Sequence, residues 1–137
     1  MVKSESGPGT GKMNSEQQGK PRDIAERTFQ FAERIVALCR AAKGTDVATR
    51  VIIGQLVRAG TSVGANVEEA QASHSRADFA AKCSIACKEA REMRYWLRLL
   101  AASGTLSCSS LADLLAECSE LVAILTTIVK KAKQPIP

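Results

Sequence analysis

The chain has 137 residues, a length that corresponds to a single domain. Hydrophobic residues make up 45% of it and charged residues 24%, which excludes a chain that is disordered throughout. Aromatic residues make up only 4%, while Ala, Leu, Glu, Arg and Lys are abundant, so the composition favours helices over a β-sandwich or barrel. The formal net charge of +5 favours acidic partners such as nucleic acid, or simply keeps the protein in solution.

The first 20 residues differ in composition from the rest of the chain. They are polar, rich in Gly and Ser and aperiodic, so we expect a disordered tail over residues 1–20 and a folded domain over residues 21–134. The tail contains Gly7-Pro-Gly-Thr-Gly11-Lys12, which is similar to part of a phosphate-binding loop. The glycine spacing is one residue short, Met13 replaces the Ser or Thr of that loop, and no strand precedes it, so no nucleotide site is expected.

Cysteine and histidine usage limits the chemistry available to the chain. The odd number of five cysteines, without an apolar signal-like segment near the first residue, indicates free thiols in a reducing cytoplasm. Cys83 and Cys87 lie four residues apart, but two thiols do not complete a zinc site, so we interpret them as small buried hydrophobic side chains. The single histidine, His74, excludes a multi-histidine metal site. No run of about 20 apolar residues predicts a membrane span.

Apolar periodicity predicts four helices after the tail. The first begins near Pro21, a residue favoured in the first helical turn, and ends near Gly44. The second begins after Thr45 or Asp46, either of which is a suitable N-cap, and ends near Ser73. The core stripes of these helices consist of Ile24, Thr28, Phe31, Ile35 and Leu38 in the first, and Ile52, Leu56, Ala59, Val63 and Ala70 in the second.

Three glycines lie inside the predicted second helix, at Gly54, Gly60 and Gly64. Each costs about 1 kcal/mol relative to Ala in a helix interior, so this helix is intrinsically weak. We expect a close approach by a neighbouring helix to compensate for them.

The third helix is predicted from about Arg76 to Ser103, with Gly104 ending it, and the fourth from about Ser109 to Lys133. The core stripes consist of Phe79, Cys83, Ala86, Ala90, Met93, Leu97 and Leu100 in the third helix, and Leu111, Leu114, Leu115, Cys118, Leu121, Val122, Leu125, Ile128 and Val129 in the fourth. Four long helices with short links predict an all-α fold, an antiparallel up-down-up-down four-helix bundle.

A polar strip, defined as Arg58, Ser62, Asn66 and Glu69, runs along the second helix with spacings of 4, 4 and 3 residues. At about 100° per residue these side chains share one face of the helix. Asn66 stands where the apolar stripe predicts a hydrophobic residue, and a buried Asn must be hydrogen-bonded. The strip therefore forms either a satisfied polar network inside the bundle, or an interface or ligand surface.

The segment around the polar strip resembles a family signature. Arg58-Ala-Gly-Thr-Ser-Val-Gly-Ala-Asn-Val-Glu-Glu-Ala70 is similar to the pattern R-A-x-x-S-[IV]-x-x-N-[IV]-x-E-G of the four-helix bundle family named for 23S rRNA intervening sequences, and the whole polar strip matches it. The segment from Ala86 to Leu100 resembles the third helix of that family, with Glu92 as a further matching residue. The resemblance covers about residues 24–132. Gly64 stands where the family often has proline. Ala70 stands where the pattern has glycine, so the second helix is not expected to end in a tight left-handed turn.

The resemblance implies a small cytoplasmic bacterial protein that forms homopentamers, with its bundles packed side by side as a barrel. Some members are encoded inside intervening sequences of 23S rRNA genes. Similar proteins are accessory variability determinants of diversity-generating retroelements, in which a basic pentamer contacts a reverse transcriptase and nucleic acid. The family brings no catalytic residues, so the resemblance implies neither an enzyme nor a cofactor or metal.

A cationic ridge, defined as Lys88, Arg91, Arg94 and Arg98, lies along one side of the third helix near Tyr95. Cations in such a row neutralise phosphates and an aromatic side chain stacks on a base, so the ridge is a candidate nucleic-acid-binding surface. Alternatively it is a solvated or inter-subunit face, in which Lys88 pairs locally with Glu92. Glu89 has no cation three or four residues away, so we expect it to pair with another helix or subunit, and we expect Trp96 to pack at a helix or subunit contact.

Two functions remain open from the sequence. The first is a non-enzymatic homo-oligomer that binds RNA or DNA weakly through charge, as an accessory to a nucleic-acid enzyme. A pentamer would repeat the net charge of +5, and any weak basic surface, five times on one particle. The second is a protein–protein interaction or structural module with no nucleic-acid role, whose basic residues serve solubility and subunit contacts.

Overall fold

The computed structural model describes residues 21–42, 46–104, 106 and 108–135. These residues form four helices: α1 (Pro21–Ala41), α2 (Val47–Gln71), α3 (Arg76–Ser103) and α4 (Cys108–Lys133). No strand occurs within the described part of the chain, so the predicted all-α fold with four helices is confirmed. The predicted tail, with its sequence similar to a phosphate-binding loop, lies outside the described residues.

Local capping explains where three of the helix ends fall. The Asp46 carboxylate accepts a hydrogen bond from the Thr49 backbone N–H at 2.9 Å, which makes it the N-cap of α2 and lowers the pKa of that carboxyl. The Ser75 hydroxyl accepts the Asp78 N–H at 3.0 Å in the same way at the start of α3. Gly104 ends α3 with a φ of 71°, a left-handed conformation that favours glycine.

The end of α2 fits the departure of this chain from the family signature. Ala70, which stands in place of the signature glycine, is a buried residue inside the helix. The cap residue Ala72 has a φ of −94°, so no left-handed turn follows. The helix ends at Gln71, two residues before the predicted end.

The helices pack around one hydrophobic core. Among the described residues, α2 packs against α1 and α3, and α4 packs against α3 and less extensively against α1, so α1 lies diagonally opposite α3. Most members of the predicted stripes are buried, and the half-buried ones lie at the stripe ends or edges: Leu38, Ile52, Phe79, Leu115, Ile128 and Val129. None of the described helices is long and apolar enough to cross a membrane.

Two of the three α2 glycines lie where another helix approaches closely, as predicted. A Cβ at Gly60 would stand 3.2 Å from Cγ2 of Ile35 in α1 and 3.4 Å from the Met93 sulfur in α3. A Cβ at Gly64 would stand 3.4 Å from the backbone and hydroxyl of Thr28. A Cβ at Gly54 would meet nothing within 4 Å, so no close approach compensates for this glycine among the described residues.

Polar contacts join helices at the bundle surface. Arg27 of α1 donates to both Glu117 carboxylate oxygens of α4, at 3.1 and 2.8 Å, and to Glu120 at 2.8 Å. The hydrogen bond to Glu117 raises the pKa of the Arg27 guanidinium above its ordinary value, which fixes its charge. Because the contact between α1 and α4 is the least extensive of the four contacts between neighbouring helices, this bidentate pair closes the bundle between its first and last helices.

Four of the cysteines are free thiols, most of them inside the core. Cys83, Cys87 and Cys118 are buried and Cys39 is half-buried. Burial raises the pKa of Cys39 to about 11 and that of Cys118 to about 12. At neutral pH these two thiols are therefore protonated. The predicted burial of Cys83 and Cys87 as small side chains is confirmed.

Alanine substitutions at Gly54 and Gly60 should have different effects on stability. Gly54→Ala should stabilise the fold by about 0.5–1 kcal/mol, since it improves an exposed helix position without a clash. Gly60→Ala should be less stable than Gly54→Ala by at least about 1 kcal/mol, since its Cβ crowds Ile35 and Met93. Urea unfolding followed by circular dichroism measures both, and equal stabilisation by the two variants would contradict the packing described here.

Thiol alkylation tests the burial of the cysteines. With a pKa of about 12, Cys118 is almost entirely protonated at pH 8, and iodoacetamide reacts with the thiolate. Peptide mass spectrometry should find Cys118 unmodified in the folded protein and fully modified in guanidinium chloride, which serves as the control. Rapid labelling of Cys118 without denaturant would show that the core around α4 is open.

Candidate functional site

The packing of α3 places most of the cationic ridge on the outside of the bundle. The opposite face of this helix is buried from Ala80 to Leu100, so the side chains of Lys88, Arg91 and Arg98 are exposed. Arg94 is half-buried and turns towards α4, where its charge opposes the effect of burial on the pKa of Cys118. The ridge is therefore a row of three exposed cations with a fourth at its edge.

The cations of the ridge have no acidic partners among the residues that the structure describes. Within the described residues, none of the four forms a salt bridge. Arg91 donates one hydrogen bond, from Nη1 to the Cys87 sulfur at 3.1 Å. The positive charge of the ridge is thus available to an external anion.

The acidic residues of α3 lie on its other side and face α2. The Arg58 guanidinium reaches across from α2 to Glu89 at 3.2 Å and to Glu92, and it also donates to Gln55 at 3.1 Å. The Trp96 indole N–H donates to the same Glu92 carboxylate at 3.1 Å. The prediction that Glu89 pairs with another helix is confirmed. Trp96 is half-buried against the hydrophobic core.

This arrangement corrects one expectation from the sequence. No ion pair forms between Lys88 and Glu92, although they lie four residues apart on α3. The Glu92 carboxylate is instead held by Arg58, which reaches it from α2, and by Trp96, which lies one turn further along α3. Two residues that match the family pattern in separate segments, Arg58 and Glu92, are therefore in direct contact.

The rest of the polar strip makes local contacts. The Asn66 amide donates to the Ser62 carbonyl at 2.9 Å and to the Ser62 hydroxyl at 3.1 Å, both within α2. Asn66 is half-buried rather than enclosed in the core, and Glu69 is exposed. The strip therefore lies on the surface of the bundle. It joins α2 to α3 through Arg58, and Glu69 at its other end is exposed to solvent.

An exposed aromatic ring lies within the ridge. Tyr95 is 53% exposed and stands one helical turn after Arg91 and one before Arg98. Its ring meets the Trp96 ring nearly at right angles, with the centroids 5.0 Å apart and an interplanar angle of 76°. This contact orients the tyrosine without covering it.

A groove opens beside Tyr95 between the end of α3 and the start of α4. This α3–α4 groove has a volume of about 500 Å³ and is lined by Tyr95, Arg98, Leu99, Ala101, Ala102 and Leu115. The apolar periodicity places Leu115 in the core stripe and predicts no groove. Only the relative position of the two helices reveals it, because Leu115 of α4 completes a lining whose other residues all lie on α3.

Other residues considered from the sequence stand apart from this surface. His74 is exposed in the link between α2 and α3. Among the residues that the structure describes, no group of three or more His, Cys, Asp or Glu side chains could hold a metal ion. The exposure of Phe29 and Val36 of α1 was not predicted from the sequence. The core stripe of a helix stays complete when further apolar residues lie on its outer face, so the stripe gives no sign of them.

A double-mutant cycle tests the contact between Arg58 and Glu92. Because 48% of the Arg58 side chain is exposed, each of Arg58→Ala and Glu92→Gln should cost only about 0.5–1 kcal/mol of stability, and the two losses should not add. Urea unfolding measures the cycle, with Lys88→Ala as a control that should change stability by less than about 0.5 kcal/mol. Fully additive losses would mean that the two groups do not interact in solution.

Comparisons with known proteins agree with this geometry. A sequence model of the family described as 23S rRNA-intervening sequence protein matches residues 20–127. The crystal structure of a protein of unknown function from the S23 ribosomal protein family of Bacteroides thetaiotaomicron is similar, with a TM-score of 0.73 and 34% sequence identity. That similarity covers 80% of this chain and 97% of the other. No curated protein sequence matches the chain. The chain belongs to the family of 23S rRNA-intervening sequence proteins.

Proposed function

We propose that this protein is a non-enzymatic, homo-oligomeric helix bundle that binds RNA or DNA weakly through charge. The observation that carries the proposal is the cationic ridge, whose exposed members flank an exposed tyrosine and have no acidic partner in the described part of the chain. Phosphate contacts of this kind give affinity without reading sequence. The family name and the ribosomal family of the similar structure make RNA the first nucleic acid to test.

The finer arrangement that we propose for the bundle is up-down-up-down, with neighbouring helices antiparallel. Arg76, at the first position of α3, donates to the carbonyls of Lys131 and Ala132 in the last turn of α4, at 3.0 and 3.1 Å, which supports opposite directions for these two helices. The short links between the helices support the same course, because they leave no room for a crossover.

Assembly into a homopentamer is the second part of the proposal. The bundle carries large apolar side chains on its surface, with Phe29 56% exposed on α1, Val47 66% and Val51 60% exposed on α2, and Ile85 46% exposed on α3. Burying such side chains between subunits would stabilise an oligomer. A ring of subunits would also repeat the cationic ridge, so that weak contacts add through multivalency.

The setting that we propose is the bacterial cytoplasm, with a nucleic-acid enzyme as partner. A reverse transcriptase is the partner class implied by the retroelement proteins that the chain resembles. The protein would hold the nucleic acid while the partner carries out the chemistry, which is why no catalytic group is assigned to it.

A second candidate function is a protein–protein interaction module with no nucleic-acid role. The exposed apolar residues of α1, Phe29 and Val36, favour it, because they line a surface groove with Glu33 and Arg40 on the side away from the ridge. In that case the ridge would serve solubility alone, and the protein would not bind RNA near physiological salt.

A salt titration of labelled structured RNA, followed by fluorescence anisotropy, tests the charge-driven binding. The logarithm of the affinity should fall linearly with the logarithm of the salt concentration. The double variant Arg91→Glu with Arg98→Glu should weaken binding by about tenfold or more and flatten the salt slope, because both removed cations would contact phosphates.

The matched control is Arg34→Glu with Arg40→Glu on α1, the helix diagonal to α3. Each Arg→Glu change removes two units, so both double variants lower the formal charge from +5 to +1. Equal losses of affinity in the two would show that net charge matters and the ridge does not. Light scattering on the same samples reports the number of subunits, and a monomer would contradict the proposed assembly.

A further inference from the structure

We propose that the α3–α4 groove binds an unpaired base of a single-stranded nucleic acid. In this arrangement the base stacks on Tyr95, and Arg91 and Arg98 contact the phosphates on either side of it. The inference rests on the proposed function and deepens it, because it names single strands as the ligand and assigns the site that takes the base.

The aromatic ring beside the groove is exposed. Tyr95 is 53% exposed although this bundle contains few aromatic residues, and its contact with Trp96 holds the ring in one orientation. A fixed and exposed ring is a preformed platform, because a ligand that stacks on it has little side-chain freedom to remove. Stacking on such a ring tolerates any base, since every base has a π-face.

Cations flank this ring on both sides along α3. Arg91 and Arg98 are seven residues apart on α3, which separates their Cα atoms by about 10 Å along the helix axis with Tyr95 between them. A nucleic-acid backbone that follows α3 would place phosphates against both guanidinium groups while the intervening base reaches the ring. Arginine also stacks on bases through its planar guanidinium group, so Arg98 can contact either the phosphate or the base.

The lining of the groove is mostly apolar. Beyond Tyr95 and Arg98, its described lining is aliphatic and includes Leu99, Ala102 and Leu115, with no carboxylate. The faces of a nucleobase are apolar and flat, so an aliphatic wall beside a stacking ring removes them from water. A volume of about 500 Å³ accommodates one base with its sugar.

These features favour a single strand over a duplex. The bases of a duplex are stacked on one another and paired, so their faces are not available to Tyr95. Unpaired loops and ends present their bases outward, and these are what aromatic side chains bind in RNA recognition. The ridge alone would bind both forms, since both carry phosphates.

The experiment compares a short labelled single strand of thymidines with an abasic strand of the same length and charge, by fluorescence anisotropy. The thymidine strand should bind at least about fivefold more tightly, because only it can stack. Tyr95→Leu should abolish this difference while leaving abasic binding and its salt slope unchanged, since leucine keeps the helix and the apolar bulk. Tyr95→Phe should retain the difference, because stacking needs the ring and not the hydroxyl.

Two controls and a second readout make the result specific. Phe29→Leu replaces an aromatic residue of α1, on the far side of the bundle, by another large apolar one that preserves the proposed subunit contact, and it should leave the difference between the strands intact. Trp96 is the only tryptophan of the chain and lies 5.0 Å from Tyr95. The thymidine strand should therefore change its fluorescence and the abasic strand should not.

The outcomes separate this inference from the proposed function. Equal affinity for the two strands, or loss of the difference in Phe29→Leu as much as in Tyr95→Leu, overturns the base site and leaves charge-driven binding in place. Absence of binding to both strands and to structured RNA at low salt overturns both. A difference between the strands that depends on the Tyr95 ring supports the inference.

Discussion

Burial of the apolar stripe of α3 is the constraint on which the surface chemistry of this protein depends. This helix packs against both α2 and α4, and its buried residues recur every three or four positions from Ala80 to Leu100. Once that face points inward, the helical period fixes the directions in which the other side chains of α3 point. Glu89 and Glu92 must face α2, and Lys88, Arg91 and Arg98 must face outward.

The same constraint separates the charges of α3 into two sides. Arg58 engages both glutamates from α2, so these carboxylates do not reach the cationic ridge. An ion pair of this exposure contributes little to stability, and its main consequence is the charge pattern that it leaves on the outer surface. The family residues Arg58 and Glu92 thus act together in this chain, although they lie in separate segments of the sequence.

Much of the fold follows from the sequence because helix periodicity and capping are local. The bounds of α3, the N-cap of α2 and the core stripes depend only on residues that are close in the chain, so they can be predicted from the sequence. The features that sequence reasoning missed depend on how the helices lie against one another. The choice of Arg58 rather than Lys88 as the partner of Glu92, and the groove between Leu99 and Leu115, are both set by that packing. The same holds for the different surroundings of Gly54 and Gly60.

The central claim is that the outer face of α3 is where single-stranded nucleic acid binds. Ultraviolet cross-linking of the protein to single-stranded RNA, followed by peptide mass spectrometry, locates the contact without any substitution. The account predicts that the cross-linked nucleotide is found on the short tryptic peptide that carries Tyr95, between Arg94 and Arg98. Cross-links confined to α1, around Phe29, would place the binding surface on the opposite side of the bundle and contradict the account.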